Sequence, residues 1–339
     1  MHCLKKYLSA ALFASLIIPA ALSGCKSGSD NSGADWHKKE GLVWNTSYHF
    51  TFNGPAELGD SAIAVLSRVG SSLSVFDTTS LVSKVNRCDS TPVNTDFIRV
   101  YVKSKQVHKI TDGAFDPTLS PLITAWGFGK GHKASPDTVA IDSILQFVGI
   151  TKTRLSHDAL IKDDDRIAFN FSAIAKGYGC DAVAEMLEAN GVSDYLIEIG
   201  GEIRAGGSNP DDKDWKISID RPILSADREM HESQQIIAFS DMGLATSGNY
   251  RNYHKSENGE IYGHVISSKT GRPITTDVIS ATVAAPTAME ADALATAFMA
   301  MDSENVIKLN KKLQLPVMLV LSDSTVWTSS QFNKLIEND

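Results

Sequence analysis

Cysteine is scarce in this chain, and the few that occur are not spaced as metal ligands. The 339 residues include four cysteines, Cys3, Cys25, Cys88 and Cys180, with no Cys-x-x-Cys motif and no Cys/His spacing typical of zinc sites. Cys88 and Cys180 could pair in an oxidising compartment, but two cysteines without a framework do not imply a disulfide. We therefore assign both a structural role and leave their pairing open.

The chain also lacks a basic stripe, a familiar phosphate-binding loop and an internal repeat. Its 40 acidic and 32 basic residues give a formal net charge of −8, and no basic aromatic motif occurs, so a nucleic-acid partner is not indicated. Neither a Walker A loop nor a GxGxxG motif is present. The composition, 42% hydrophobic and 21% charged, is that of an ordinary globular protein.

The main apolar run outside the globular part stands at the N-terminus and is short for a membrane helix. Lys5 and Lys6 precede "YLSAALFASLIIPAA", which is followed by "LSGC" ending at Cys25. This layout predicts a secretory signal over residues 1–24, and "LSGC" resembles a bacterial lipoprotein box that would lipidate Cys25. The alternative is ordinary signal cleavage beside an incidental cysteine. The polar Gly/Ser-rich stretch over residues 25–40 is interpreted as a tether.

The rest of the chain mixes strand-like and helix-like segments. Helical spacing appears in "AELGDSAIAVLSRVGSSLSVFD" and "AMEADALATAFMAM", whereas "YLIEIGGEIRAGG", "WKISIDR" and "ISATVAA" read as strands. Strands occur in neighbouring runs, with helices between the groups. The sequence therefore predicts an α+β fold with a largely antiparallel sheet core and packed helices.

Several polar residues could carry chemistry, although each has a simpler explanation. Asp292 and Thr296 are four residues apart on a predicted helix, so they share a face and could offer oxygens to Mg²⁺ or Ca²⁺; they could equally lie on a solvated edge. His264 is either a catalytic or a packing residue, and Asp116, which precedes a proline, could cap a turn. Lys176 begins a helix with two glycines and could attract a phosphate.

Taken in order along the chain, these fragments resemble one known family. "GAFDPT", "NFSAIAKGYGCDAVAEML", "IEIGGEIRAGG", "LATSGNYR", "GHVISSKTGRPI" and "EADALATAF" resemble the motifs of the ApbE family of FAD:protein FMN transferases. The resemblance extends from about Trp44 to the strand "PVMLVLSD". It implies an ApbE-like fold and a flavin transferase domain over residues 41–339.

The resemblance also implies an activity. Members of this family are exported bacterial proteins, often lipid-anchored, that bind FAD and Mg²⁺ and transfer FMN to a Thr or Ser hydroxyl of a target protein, releasing AMP. Their targets are flavin-bearing subunits of membrane redox complexes such as the sodium-pumping quinone reductase. We therefore expect this chain at the periplasmic face of a bacterial membrane, anchored through Cys25.

Residue roles follow from the resemblance position by position. The expected metal ligands are Asp292, Thr296 and the backbone oxygen of Ala173, and the expected catalytic residues are His264, which would activate the acceptor hydroxyl, and Asp292. The residues expected to line FAD are Trp44, Phe76, Ala114, Phe115, Asp116, Asn170, Lys176 and Ile266. On this interpretation Gly177 and Gly179 let the phosphates and metal approach the helix backbone.

The sequence departs from the family pattern at a few positions and leaves alternatives open. Asn170 stands where Asp is frequent, Trp44 begins a segment that is usually Met-Gly-Thr, and Ser267-Ser268 replaces a common Asp-Pro. The same residues would also suit a metal-dependent FAD pyrophosphatase giving FMN and AMP, or a periplasmic flavin-binding lipoprotein without turnover. The acceptor protein, the choice of membrane and the oligomeric state are not encoded in a recognisable form.

Overall fold

The structure is a computed structural model that describes residues 35–88, 91–127, 138–220, 233–248, 253–255, 261–263 and 265–337. The predicted signal segment, residues 25–34 of the predicted tether, Cys25 and His264 lie outside these residues. Among the described helices, none is long and apolar enough to cross a membrane.

The described strands occur in runs with helices between them, as expected for an α+β protein. The helices are α1 (Leu58–Leu73), α2 (Leu81–Asn86), α3 (Thr95–Ile110), α4 (Ser120–Ala125), α5 (Thr138–Leu145), α6 (Ala175–Ala189), α7 (Ala288–Met299) and α8 (Ser303–Leu313). The strands are β1 (Trp36–Val43), β2 (Thr46–Asn53), β3 (Thr153–Ser156), β4 (Ala159–Lys162), β5 (Tyr195–Ile199), β6 (Glu202–Gly206), β7 (Trp215–Asp220), β8 (Ser233–Phe239), β9 (Gly243–Gly248), β10 (Tyr253–Lys255), β11 (Ile261–Gly263), β12 (Val278–Ala285), β13 (Val317–Leu321) and β14 (Val326–Thr328).

Eight strands form the central sheet, in the order β1-β2-β5-β6-β9-β12-β13-β14. Every neighbouring pair in it is antiparallel. The predicted fold class is therefore confirmed. Tight turns make this meander possible: β5 and β6 are joined by Gly200 and Gly201, both at positive φ, a backbone region that only glycine adopts without strain.

Helices α6 and α7 lie side by side against this sheet. Helix α7 packs on β9 and β12, α6 packs on β5 and β6, and α1 covers α6 from the far side. Helix α7 has almost no polar face, because ten of its twelve residues are buried. A helix that is apolar nearly all round belongs inside a protein, so its few polar residues are placed there at a cost.

One predicted boundary was wrong. The predicted tether over residues 25–40 runs into β1, which begins at Trp36 because its residues pair with β2 from Asn53 back to Thr46. Helix α6 begins at Ala175, and "NFSA" before it leads into a turn. The buried strand "PVMLVL" is β13, and one more strand, β14, follows it.

Candidate functional site

The candidate site is centred on the two polar side chains in the middle of α7. Asp292 is only 3% exposed, so it is not on a solvated edge. Its Oδ2 accepts a hydrogen bond of 3.0 Å from the backbone N–H of Gly177, in the first turn of α6. The side chain of Thr296, one turn further along α7, is half-buried, and its Oγ1 lies 3.2 Å from the Oγ of Ser247 on β9.

The two glycines of α6 have a different explanation from the one expected. A Cβ on Gly177 would lie 2.2 Å from the carbonyl oxygen of Ala288 in α7, and a Cβ on Gly179 would lie 2.7 Å from the indole of Trp44. Both distances are shorter than any real Cβ contact. The glycines therefore let α7 and Trp44 pack against α6, and the expectation that they admit FAD phosphates is replaced by this packing role.

A second buried carboxylate, which sequence reasoning missed, lies beside Asp292. Glu202 at the start of β6 is 3% exposed and forms an ion pair with the ammonium of Lys176. Burial, together with the nearby charge of Asp292, raises the pKa of Glu202 to about 8 against the opposing effect of Lys176. Burial likewise raises the pKa of Asp292, against the opposing effects of Lys176 and the Gly177 N–H.

Lys176 is therefore the positive charge that these two carboxylates share. Burial disfavours its charged form, but Glu202 and Asp292 outweigh this effect and raise the pKa of the ammonium. Above about pH 8, where Glu202 as well as Asp292 is ionised, the three side chains carry a net charge of −1. Such a centre attracts a cation more readily than an anion.

The oxygen atoms at this centre fit a hard divalent cation. Oδ1 of Asp292 accepts no hydrogen bond from the described residues, and neither does the carbonyl of Ala173 in the turn before α6. Carboxylate, hydroxyl and carbonyl oxygens are the ligands that Mg²⁺ prefers. Among the described residues there is no cluster of three or more His, Cys, Asp or Glu side chains, so a metal here would depend on mixed oxygen ligands.

Another missed carboxylate fixes the beginning of α7. Asp181 on α6 accepts hydrogen bonds of 2.9 Å from the backbone N–H groups of both Ala288 and Met289. Burial raises its pKa to about 6, although these two hydrogen bonds act in the opposite direction. The carboxylate satisfies orphan donors at the helix N-terminus and ties α7 to α6, one turn before Asp292.

The carboxylate of Asp116 is hydrogen-bonded to neighbouring residues of the protein. Its carboxylate accepts hydrogen bonds from the N–H and Oγ1 of Thr118 and from the N–H of Ile150, and it lies 3.2 Å from Nδ1 of His108. The hydrogen bond to Asp116 raises the pKa of His108. The alternative of a turn-capping role therefore describes the carboxylate, and a contact with FAD would fall to the backbone of this loop.

The remaining expected flavin residues are spread over several segments. Trp44 occupies the β1–β2 turn at φ 50°, with its indole against Gly70 of α1 and Gly179 of α6. Phe76 is 55% exposed, whereas Phe115 and Ile266 are each 3% exposed. The side chain of Asn170 accepts a hydrogen bond from the N–H of Ser172, close to Ala173.

A cavity of about 470 Å³ opens beside the loop that contains Ala114. Its wall includes Ala114, Ser267, Thr276 and Ala300. Ala300 follows Thr296 by four positions and Asp292 by eight, so the three lie on one face of α7 and its C-cap over about 12 Å. A ligand held at Asp292 could therefore extend into this cavity. His264, expected to act as the base, lies outside the described residues.

Sequence reasoning missed Glu202, Asp181 and Ser247 for different reasons. Glu202 and Ser247 belong to the motifs "IEIGGEIRAGG" and "LATSGNYR", which indicate the family but do not by themselves assign a function to either residue. No pattern singled out Glu202, because "IEIGGEIRAGG" also carries Glu198 and Arg204, which are only partly buried. Asp181 offered no signal either, because an acid in a helix is normally solvated.

Comparison with known proteins agrees with this geometry. The sequence model of the ApbE family matches residues 44–319. An FAD:protein FMN transferase of Haemophilus influenzae is 36% identical over 324 residues, covering 88% of this chain and 90% of the relative. The protein of that name in Vibrio cholerae is 33% identical, with the same two coverages.

Solved structures show the same similarity. The flavin transferase ApbE from Vibrio cholerae superimposes with a TM-score of 0.78 at 31% identity, covering 89% of this chain and 99% of its own. The apo form of the flavinyl transferase ApbE from Pseudomonas stutzeri gives a TM-score of 0.80 at 27% identity, covering 90% and 98%.

Proposed function

Because this chain belongs to the ApbE family, we propose that it is an FAD:protein FMN transferase that modifies a Thr or Ser hydroxyl of an acceptor protein and releases AMP. The observation that carries the proposal is the buried centre of Asp292, Glu202 and Lys176, embedded in a chain that matches flavin transferases over most of its length. Buried carboxyl groups with perturbed pKa values cluster at catalytic sites, which favours turnover over flavin binding alone.

In the proposed reaction the acceptor hydroxyl oxygen forms a bond to the phosphorus of the FMN half. The bond between that phosphorus and the bridging oxygen of the pyrophosphate breaks, and AMP leaves with the bridging oxygen. The hydroxyl proton passes to a base, for which His264 remains our candidate because an imidazole titrates near neutrality. The chain's own task is to hold the donor phosphate and the acceptor hydroxyl in line.

Asp292, Thr296 and the Ala173 carbonyl would hold Mg²⁺. When bound, the cation would neutralise charge on the phosphoryl oxygens, which otherwise repel a nucleophile. Lys176 would add positive charge on the same side, and Glu202 fixes the position of its ammonium. Asp292 acts in this proposal as a ligand: its Oδ2 accepts the Gly177 N–H, and its Oδ1 is left for the cation.

FAD would lie along the face of α7 that carries Asp292 and Thr296. One of its ring systems would enter the cavity walled by Ala114, Ser267 and Ala300, whose volume of about 470 Å³ suits half of a dinucleotide. We expect Phe76, Phe115, Asn170 and Ile266 to line the bound FAD, as the resemblance implies. Trp44 would contribute through the position of α6, because its indole lies between α1 and α6.

Export and the partner protein belong to the same proposal. The segment over residues 1–24 and a lipidated Cys25 would hold the domain at the periplasmic face of a membrane, where flavin-bearing subunits of redox complexes are within reach. A catalytic domain that begins with β1 at Trp36 leaves residues 26–35 as the tether.

The decisive experiment is incubation of the purified chain with FAD and Mg²⁺, with and without a candidate acceptor subunit, followed by mass spectrometry. The proposal requires an acceptor that gains one FMN group at a Thr or Ser, with equimolar AMP. Release of AMP and free FMN regardless of acceptor would instead identify an FAD pyrophosphatase. Intact bound FAD would identify a binding protein.

A pair of variants tests the metal site in the same assay. Asp292→Asn should abolish Mg²⁺-dependent AMP release, since an amide is a poor ligand for Mg²⁺ beside Lys176. Asp211→Asn, in an exposed turn, is the matched control and should release AMP at the wild-type rate. Unchanged AMP release from Asp292→Asn would refute the metal assignment.

A further inference from the structure

Helix α7 and strand β9 run side by side in the same direction, so residues at the same distance from their starts lie close together. A Cβ on Gly243, at the start of β9, would lie 2.1 Å from the backbone nitrogen of Ala288, at the start of α7. Four residues along the strand cover about 13 Å and eight along the helix about 12 Å. The same alignment therefore brings Ser247 to Thr296, and their hydroxyl oxygens are 3.2 Å apart.

The hydroxyl of Thr296 is not bonded as helical hydroxyls usually are. A Ser or Thr inside a helix commonly donates to the carbonyl four residues earlier, as Ser67 does to Ile63 and Ser72 to Arg68 in this protein. Among the described residues, the hydrogen-bond partner of the Thr296 hydroxyl is Ser247, on another element. Its oxygen is thus turned away from its own helix backbone.

We propose that Ser247 is a positioning residue that orients the Thr296 hydroxyl for the cation, an inference that rests on the metal site proposed above. A neutral hydroxyl has one proton and two lone pairs, and it can offer a lone pair to a cation only with its proton turned elsewhere. The 3.2 Å separation lets either hydroxyl donate, and this role requires Ser247 Oγ to accept the proton of Thr296. Hydrogen-bond partners of this kind typically change metal affinity about 10- to 100-fold when removed.

A second hydroxyl pair, which provides a matched control, involves a residue on the opposite face of β9. Thr246 Oγ1 and Thr282 Oγ1 are 2.9 Å apart, on neighbouring positions of β9 and β12. Successive strand residues point to opposite faces, so this pair faces away from α7. Loss of the Thr246 hydroxyl removes a similar hydrogen bond without affecting Thr296.

The experiment measures binding of Mn²⁺, as an EPR-visible substitute for Mg²⁺, to the full-length chain with saturating FAD. The variants are Ser247→Ala, Ser247→Thr, which keeps the hydroxyl, Thr246→Val and Asp292→Asn. We expect a 10- to 100-fold weaker Mn²⁺ affinity for Ser247→Ala, near-wild-type affinity for Ser247→Thr and Thr246→Val, and no binding for Asp292→Asn. The metal-free melting temperature of Ser247→Ala should match that of wild type, because its hydroxyl acts on the cation.

The outcomes separate this inference from the proposed function. Wild-type affinity in Ser247→Ala, or an equal loss in Thr246→Val, overturns the role of Ser247 while the metal site stands. A wild-type chain that does not bind Mn²⁺, or an Asp292→Asn variant that binds it normally, overturns the metal site and this inference together. A lower metal-free melting temperature together with a loss that Ser247→Thr does not restore also overturns it, since it would mark a packing role.

Discussion

The contact between α6 and α7 at Gly177 offers the sharpest test of how the site is built. In Gly177→Ala the new methyl group would lie 2.2 Å from the carbonyl oxygen of Ala288 and 2.8 Å from the Cβ of Asp292. Reaching 3.0 Å, the lower limit of real Cβ contacts, requires a separation of about 0.8 Å between two backbones. No rotamer change can relieve this, because the closest atoms belong to the main chain.

The expected cost can be derived from the structure. Overpacking of this kind costs about 3 kcal/mol, and stretching the bond from the Gly177 N–H to a buried carboxylate adds about 2 kcal/mol. The helix propensity of Ala over Gly returns about 1 kcal/mol. We therefore expect a net loss of about 4 kcal/mol in the free energy of unfolding, and at about 2 °C per kcal/mol for a chain of this size, a melting temperature about 8 °C lower.

The assay is thermal unfolding followed by circular dichroism, with Gly59→Ala as the matched control. Gly59 is also a helical glycine, but the nearest atom to a methyl group at this position would be 3.6 Å away, on the flexible side chain of Lys39. That variant should melt within about 2 °C of wild type. If Gly177→Ala melted with wild type as well, the close approach of α6 and α7 would be wrong, and with it the placement of Asp292.

Two further predictions concern the buried acids. Because the pKa of Glu202 is raised to about 8 from 4.5, the folded state retains a proton that the unfolded chain loses, so the free energy of unfolding without metal should fall as the pH rises from about 4.5 to 8. Glu202→Gln should reduce that slope by up to about 1.4 kcal/mol per pH unit, as measured by urea unfolding across this range. An unchanged slope in Glu202→Gln would contradict the prediction. Asp116→Asn should cost about 3 kcal/mol of stability, because an amide nitrogen cannot accept from Ile150 and His108 as the carboxylate does, and the pKa of His108 should return toward 6.5 in an NMR titration. A His108 that titrates as in wild type would refute this account.

The fold was largely predictable because periodicity reports burial along a single element. The helices α1 and α7 and the strands β5, β6, β7 and β12 follow from patterns of apolar residues that each segment carries by itself. Strand β1 was missed because "WHKKEGLV" is mostly polar. It exists through its pairing with β2, which places it at the edge of the sheet.

The site was predictable only in part, because its geometry depends on contacts between distant segments. Asp292 and Thr296 follow from helical spacing and resemblance, but Glu202 reaches Lys176 only after β6 and α6 have packed together. The glycines show the limit most clearly. A glycine in a helix indicates a close approach, yet the sequence does not say whether a ligand or another element approaches. Here Gly177 on α6 and Gly243 on β9 both lie against Ala288, the first residue of α7.

The charges of the buried centre lead to a last prediction, that FAD and the divalent cation bind as a pair. Above about pH 8, where Glu202 is ionised, the side chains of Asp292, Glu202 and Lys176 sum to −1, and the pyrophosphate of FAD adds about two negative charges. Without a cation, FAD would therefore raise the negative charge of a site that excludes most water, whereas a divalent ion would restore the original balance. We expect Mg²⁺ to tighten FAD binding at least 10-fold, about 1.4 kcal/mol, as measured by quenching of flavin fluorescence with Mg²⁺ or with EDTA. Above about pH 8, Glu202→Gln removes one negative charge and should weaken this dependence on Mg²⁺. Equal FAD affinity with and without Mg²⁺ in the wild-type chain would mean that the pyrophosphate lies away from Asp292.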